Sequence, residues 1–154
     1  MKLSAQEEYG LRCLLRVASA SPESVTIPAI AKAEALSVPY VGKLMSVLRE
    51  YEFVESVRGQ AGGYVLRRLP EEIAITDVLA SLGGRLFEPS FCDEFAGLDK
   101  LCTHSIDCSI RSLWRSVQHA VDRALAGITL KDLLRKESGM NRFVALKVRG
   151  SFRR

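Results

Sequence analysis

Phe53-Val54-Glu55-Ser56-Val57-Arg58-Gly59-Gln60-Ala61-Gly62-Gly63-Tyr64-Val65-Leu66 is the stretch that decides the fold. Two short runs of strand-type residues, Phe53 to Val57 and Tyr64 to Leu66, flank a glycine-rich turn, so the stretch predicts a β-hairpin. Its tip reads as a wing. The glycines supply positive φ and let the backbone come close to a phosphate, while Arg58 and Gln60 can reach sugar, phosphate or minor-groove edges. A nucleotide cradle is the competing reading, but the P-loop pattern is absent and no helix opens directly after the glycines.

Upstream of the hairpin the period is helical. Ser4 to Ala20 carries Tyr9, Leu11, Leu14, Leu15, Val17 and Ala18 at helical spacing, with Ser4 as N-cap and Glu7 three residues on. Cys13 falls inside that pattern and reads as core, and Glu8 stands four residues before Arg12, in the order that favours a weak surface pair. A short helix follows from Pro28 to about Ala35, opened by Thr26. Leu36-Ser37-Val38-Pro39 breaks the chain, and a third helix, Tyr40 to about Tyr51, buries Val41, Leu44, Met45, Val47 and Leu48 and leaves Tyr40, Gly42, Lys43 and Ser46 outward. Two helices joined by a tight turn make a helix-turn-helix, whose second helix presents its N-terminal residues to the DNA major groove.

Downstream, Thr76 reads as the cap of a helix from Asp77 to about Leu82, closed by Gly83-Gly84. An acidic, turn-rich loop then holds three of the four cysteines, Cys92, Cys102 and Cys108, spaced C-x9-C-x5-C. Thiolates are soft ligands suited to iron-sulfur clusters and zinc, and a loop can converge its sulfurs on one centre. A buried free cysteine acting as a small hydrophobe is the bland reading of any one of them. Ile110 to Ala126 is the most regular helix, with Ile110, Leu113, Trp114, Val117, Val121, Ala124 and Leu125 on one face and Arg111, Arg115, Gln118, Asp122 and Arg123 on the other. Outside the winged-helix core such a stripe needs a surface, and a twofold partner is the commonest provider. Thr129 with Asp132 caps a last short helix carrying Leu130, Leu133 and Leu134, and the tail from Gly139 reads as irregular.

These pieces give a mainly α fold with a small β-hairpin. They suggest a winged helix-turn-helix over residues 1–83, a cysteine loop over 84–109, a long dimerisation helix with its short successor over 110–138, and a basic tail over 139–154. The formal net charge of +4 is uneven: the tail carries Arg142, Lys147, Arg149, Arg153 and Arg154 and no acid, which leaves the rest at −1. Nucleic-acid affinity of the folded part therefore rests on local placement of Lys and Arg, and the tail's charges can touch phosphates or simply be solvated. No apolar run is long enough for a bilayer, and the opening Met1-Lys2-Leu3-Ser4-Ala5-Gln6-Glu7-Glu8 lacks a signal-peptide core, so a cytoplasmic protein with reduced thiols and no membrane partner is expected. His104 and His119 have no recognisable nucleophile partner, so no enzyme is expected.

The order of these features resembles the Rrf-type (IscR/NsrR/RirA-like) family of bacterial winged-helix regulators. The resemblance runs over roughly residues 1–137 and rests on the opening Met1-Lys2-Leu3-Ser4, the wing Ser56 to Tyr64, Ile73-Ala74-Ile75-Thr76-Asp77-Val78, the cysteine triplet and Ile128-Thr129-Leu130. It implies a homodimer on a partly palindromic double-stranded DNA operator. Tyr40 and Lys43 of the third helix and Arg58, Gly59 and Gln60 of the wing would be the DNA contacts, joined by Lys2 and Gly62. Where some members have a glutamate that tunes base preference, this chain has Gly42.

The resemblance also implies an iron-sulfur cluster that senses nitric oxide, redox state or iron, on Cys92, Cys102 and Cys108. The histidine that completes the set in one branch is Arg111 here, so Glu8, at the place of an acid supplied by the partner in another branch, is the expected fourth ligand of a [4Fe-4S] cluster, favoured over [2Fe-2S]. Two rivals remain: a zinc-binding interaction module on Cys92, Cys102, His104 and Cys108, and a cluster-free winged-helix regulator that works through its thiols.

Overall fold

Short polar side chains set just before apolar runs fix where the helices begin. The computed structural model of the chain describes residues 4–59, 62–88, 90–96, 102, 104 and 106–151. Helix α1 (Ala5–Ala20) opens on a capping box: the Glu7 N–H donates to Ser4 Oγ at 3.1 Å and the Ser4 N–H to Glu7 Oε2 at 2.6 Å. Thr26 and Ser37 cap α2 (Ile27–Glu34) and α3 (Val38–Glu50) through their hydroxyls. Both helices start slightly earlier than the sequence suggests. Pro28 and Pro39 lie within the first turn rather than breaking it, because N–H groups there have no intrahelical partner to lose. Ala35 closes α2 in the left-handed conformation, φ 55°, and the Leu36 N–H donates to the Ala31 carbonyl at 2.9 Å, which turns the chain directly into α3.

Strands β1 (Val54–Val57) and β2 (Gly63–Leu66) pair antiparallel, Val54 opposite Leu66 and Val57 opposite Gly63, as the hairpin reading requires. Val25, just ahead of α2, adds a bridge to Tyr64. Helix α4 (Ile75–Gly83) corrects the expected start: Ala74, not Thr76, is the N-cap, and no side chain caps it. Its start is held by backbone from far along the sequence, since the Ile75 N–H donates to the Ile128 carbonyl at 3.0 Å and the Leu130 N–H to the Ile73 carbonyl at 2.9 Å. Local pattern cannot show a cap of that kind.

Two compact units result, one of the described residues up to Gly84 together with those from Gly127, the other Arg85–Ala126. In the second, the cysteine loop is not wholly irregular: α5 (Phe91–Glu94) forms around Cys92, and Phe87, Phe91 and Phe95 stack in series at centroid distances of 5.4 and 4.7 Å. Helix α6 (Ser109–Leu125) follows. Here the polar-face assignment of Gln118 is corrected. It is the buried residue of α6, accepting the Phe87 N–H at 3.2 Å and donating to Asp122 Oδ1 at 2.8 Å, while Asp122 also binds Arg85. An amide buried with both ends bonded carries little desolvation cost.

In the first unit, the Thr129–Asp132 capping box opens α7 (Leu130–Leu133) as expected. The tail is a correction: residues from Glu137 onward form α8 (Glu137–Ser151). Met140, Phe143 and Val144 recur at helical spacing among good helix formers, and Gly139 falls in the first turn, where its cost is low. The core of this unit is Leu14, Val17, Ile30, Val41, Leu44, Met45, Leu48, Val54, Ile73, Val78 and Leu130, all essentially inaccessible. Each contributes about 1.5–3 kcal/mol by burial. Relief of the left-handed alanine tests the turn between α2 and α3: Ala35→Gly is expected to stabilise the chain by about 0.5–1 kcal/mol, read as a higher urea midpoint at unchanged slope.

Candidate DNA interface and cysteine segment

Helix α3 is anchored along one side by Val41, Leu44, Met45 and Leu48, none of which is accessible, so its opposite side is fixed outward. Val38, Pro39, Lys43, Ser46 and Arg49 are exposed there, with Gly42 half-buried. Tyr40 departs from the outward expectation: it is half-buried, its ring edge-on to Tyr9 at 6.1 Å and 84°, with the Arg12 guanidinium 5.5 Å from the Tyr9 ring centre.

Arg12 is not the partner of Glu8 that i,i+4 spacing suggests. Its Nε donates to Glu34 Oε2 at 2.7 Å, and Arg16 Nε donates to the other oxygen at 2.5 Å. Glu34, on α2, is buried, with 7% of its side chain exposed. Burial pushes its carboxyl up, the hydrogen bonds from Arg16 and Arg12 pull it down, and the net position lies below the ordinary carboxylate value. The clamp fixes α2 on α1 and so sets where α3 begins. Sequence spacing within one helix could not reveal it, because the acid lies on another.

In the wing, Arg58 and Gly59 are exposed, and Gly59 has φ 140°, a conformation that other residues rarely adopt. The Gly62 N–H donates to the Gly59 carbonyl at 3.0 Å. Gly63 is required by crowding, since a Cβ there would meet the Val25 carbonyl oxygen at 2.7 Å. Lys2 and Gln60, also expected at the DNA, lie outside the described residues.

Cys92, Cys102 and Cys108 are free thiols, each half-buried, whereas Cys13 is wholly buried and its thiol is pushed up to about 11 by burial. Cys108 caps α6, its Sγ accepting the Arg111 N–H at 3.3 Å. His104 is exposed. Glu8 is exposed on α1, and among the described residues its carboxylate has no hydrogen bond or ion pair of its own. No three His, Cys, Asp or Glu side chains among the described residues stand together as a metal site, neither the cysteine set nor the zinc set with His104. On α6, Ile110, Leu113 and Trp114 are exposed at 55%, 57% and 39%, and Val117 and Val121 are half-buried.

The family model named Rrf2, an iron-dependent transcriptional regulator, matches residues 3–136. The chain belongs to the Rrf2 family. Protein rrf2 of Nitratidesulfovibrio vulgaris (strain Hildenborough) is 36% identical to it over 139 residues, 90% of each chain. Among solved structures it is similar to CymR, the global cysteine regulator of B. subtilis, with TM-score 0.68 and 29% identity over 87% of this chain and 96% of that one. It is equally similar to IscR of T. potens, with TM-score 0.68 and 31% identity over 87% and 86% of the two chains. An Rrf2-family chain is a DNA-binding transcriptional regulator rather than an enzyme, and the mainly helical fold with one hairpin is that of its winged-helix neighbours. No helix among the described residues is long and apolar enough to cross a membrane.

The arginine clamp makes a pH prediction whose sign follows from the depressed Glu34 carboxyl. Stability from the clamp is complete above the carboxyl's unfolded-state value and is lost as pH falls through its lower folded-state value. Glu34→Gln is expected to lower the thermal midpoint at neutral pH by about 3–6 °C. That deficit shrinks on acidification through the carboxylate range, and scanning calorimetry at several pH values checks it.

Proposed function

We propose that this chain is a homodimeric repressor whose affinity for a partly palindromic operator is set by an iron-sulfur cluster. Cys92, Cys102 and Cys108 of one subunit and Glu8 of the partner subunit would hold it. The observation that carries this reading is the contrast among the four cysteines: one is sealed in the core, and the three in the segment before α6 are free and partly accessible. Accessible thiols can ionise and ligate, and soft thiolates suit iron-sulfur centres. Glu8 supports it, because its carboxylate is exposed and Arg12 hydrogen-bonds to Glu34 instead. When bound, a cluster supplies a centre that responds to nitric oxide, oxygen or loss of iron. A carboxylate is the hardest of the four donors and the weakest match to that centre, so the join between subunits is the labile one.

The exposed face Ile110, Leu113, Trp114 with Val117 and Val121 on α6 is the proposed dimer seam, since large apolar side chains at helical spacing left in water call for a partner. Two copies then place two α3 helices for successive major grooves, with Lys43 and the wing residues Arg58, Gly59 and Gly62 along the backbone. A hundredfold change in operator affinity requires about 2.7 kcal/mol of coupling, within the usual allosteric range.

A second reading has its own support. The three thiols do not gather with other donors among the described residues, and CymR is a structural neighbour, so a cluster-free regulator working through thiol oxidation is the alternative. Purification without air separates the two. The cluster reading expects a brown protein with iron and sulfide in similar amounts and a labile or smaller cluster in Glu8→Ala. A colourless protein whose operator binding changes with thiol oxidation supports the alternative, and one zinc per chain overturns both.

Two further outcomes are expected. Arg58→Ala lowers the salt dependence of DNA binding by about one unit of slope, measured by titration at several salt concentrations. Trp114→Ala shifts the dimer toward monomer, read by sedimentation at low concentration.

A further inference from the structure

The family match ends at residue 136 and α8 begins at Glu137, so nothing in the matched domain assigns this helix a role. Its burial follows the helical period. Met140, Phe143 and Val144 are half-buried, with the Arg135 guanidinium 5.0 Å from the Phe143 ring centre, while Asn141, Arg142 and Ala145 are exposed. The helix therefore packs by an apolar side and turns the side bearing Arg142 to solvent. Seven residues make almost two turns, so position 149, also arginine, falls on that same side about 10 Å further along.

Elsewhere in the same unit, exposed cations are answered by carboxylates: Arg67 by Glu52 at 3.1 Å, Lys131 by Glu71 at 3.4 Å and Arg135 by Asp132 at 3.1 Å. Arg142 has no hydrogen bond or ion pair among the described residues, and the helix holds no acid from Ser138 to Ser151. A surface helix that serves only solubility mixes both signs of charge. One sign alone fits a polyanion. A DNA duplex carries a phosphate charge about every 1.7 Å of its axis, so cations about 10 Å apart on a straight helix can each meet one. The chain up to residue 138 stands at −1 and brings no bulk attraction of its own to such a partner. An anionic lipid surface is the other polyanion, but binding there buries a helix's apolar side, and in α8 that side is already packed.

We propose that α8 is a DNA arm in which Arg142 and Arg149 contact backbone phosphates, adding to affinity without adding to sequence specificity. Contacts to phosphate position a protein on a duplex and carry no base information, so the arm strengthens binding to any sequence by the same factor. This rests on the reading of the chain as a DNA-binding regulator.

The test measures the full-length protein on a duplex it selects from a random-sequence pool and on an unrelated duplex, each at several salt concentrations. Arg142→Gln and Arg149→Gln are each expected to lower the slope of log affinity against log salt by about one unit per subunit, on both duplexes alike, with the thermal midpoint unchanged. Arg142→Lys keeps the charge and is expected to keep the slope. Arg123→Gln, which removes an exposed cation of α6, is the charge-matched control and is expected to leave the slope as it is. An equal drop in that control, or a loss confined to the selected duplex, overturns the inference. So do slopes that hold in both α8 variants while Arg58→Ala lowers its own; that result leaves the DNA-binding reading standing, whereas a wild type that selects no duplex from the pool sinks both. Wild-type retention on vesicles of anionic phospholipid, abolished by the α8 substitutions while the DNA slope holds, overturns the inference in favour of a lipid surface.

Discussion

A buried carboxylate without partners would cost several kcal/mol, and the unit that holds α1, α2 and α3 is arranged so that Glu34 is never in that position. Two arginines one turn apart on α1 reach its two oxygens, which locks α2 in a single register on α1. Because only the left-handed Ala35 and two further residues separate α2 from α3, the lock also decides where the outward face of α3 points. Arg12 extends the arrangement through the Tyr9 ring to Tyr40, so the first turn of α3 is braced from α1 as well as from its own core side. A helix held from two sides presents a rigid outer surface, and preorganisation of that kind lowers the cost of binding.

The fold was legible wherever neighbours in sequence are neighbours in space. Capping hydroxyls at Ser4 and Thr26, the apolar stripe of α3 and the glycine turn of the wing are local signals, and each produced the element it suggested. Where a partner comes from elsewhere in the chain, local pattern misled. Arg12 looked like the mate of Glu8 and is bound to Glu34, Thr76 looked like a cap where backbone from Ile128 does the capping, and Gln118 looked solvated but is bonded to the Phe87 backbone. The helical tail was missed for another reason. The tail from Gly139 read as irregular, yet a glycine in a first turn costs little when alanine, leucine, lysine and arginine follow.

The candidate site was legible in kind and not in geometry. Residue type and position identify Lys43 and Arg58 as exposed cations on α3 and the wing, and identify three cysteines outside the core. Convergence of ligands is a three-dimensional property that spacing cannot give. If one donor comes from a second copy, as proposed for Glu8, a single chain need not bring the set together, and the energy of bringing it together is then available to couple ligation to the spacing of two reading helices.

If Cys92, Cys102 and Cys108 are the working thiols, as proposed, the fourth cysteine must be kept out of the chemistry. Cys13 sits at zero exposure beneath the arginine clamp, and burial, reinforced by the nearby Glu34 charge, raises its thiol to about 11. At neutral pH only on the order of one such thiol in ten thousand is ionised, so it neither ligates nor exchanges appreciably. The carboxylate that holds α2 on α1 therefore also helps to raise the thiol of Cys13. Cys92, Cys102 and Cys108 are only half-buried, and Cys108 stands at the N-cap of α6.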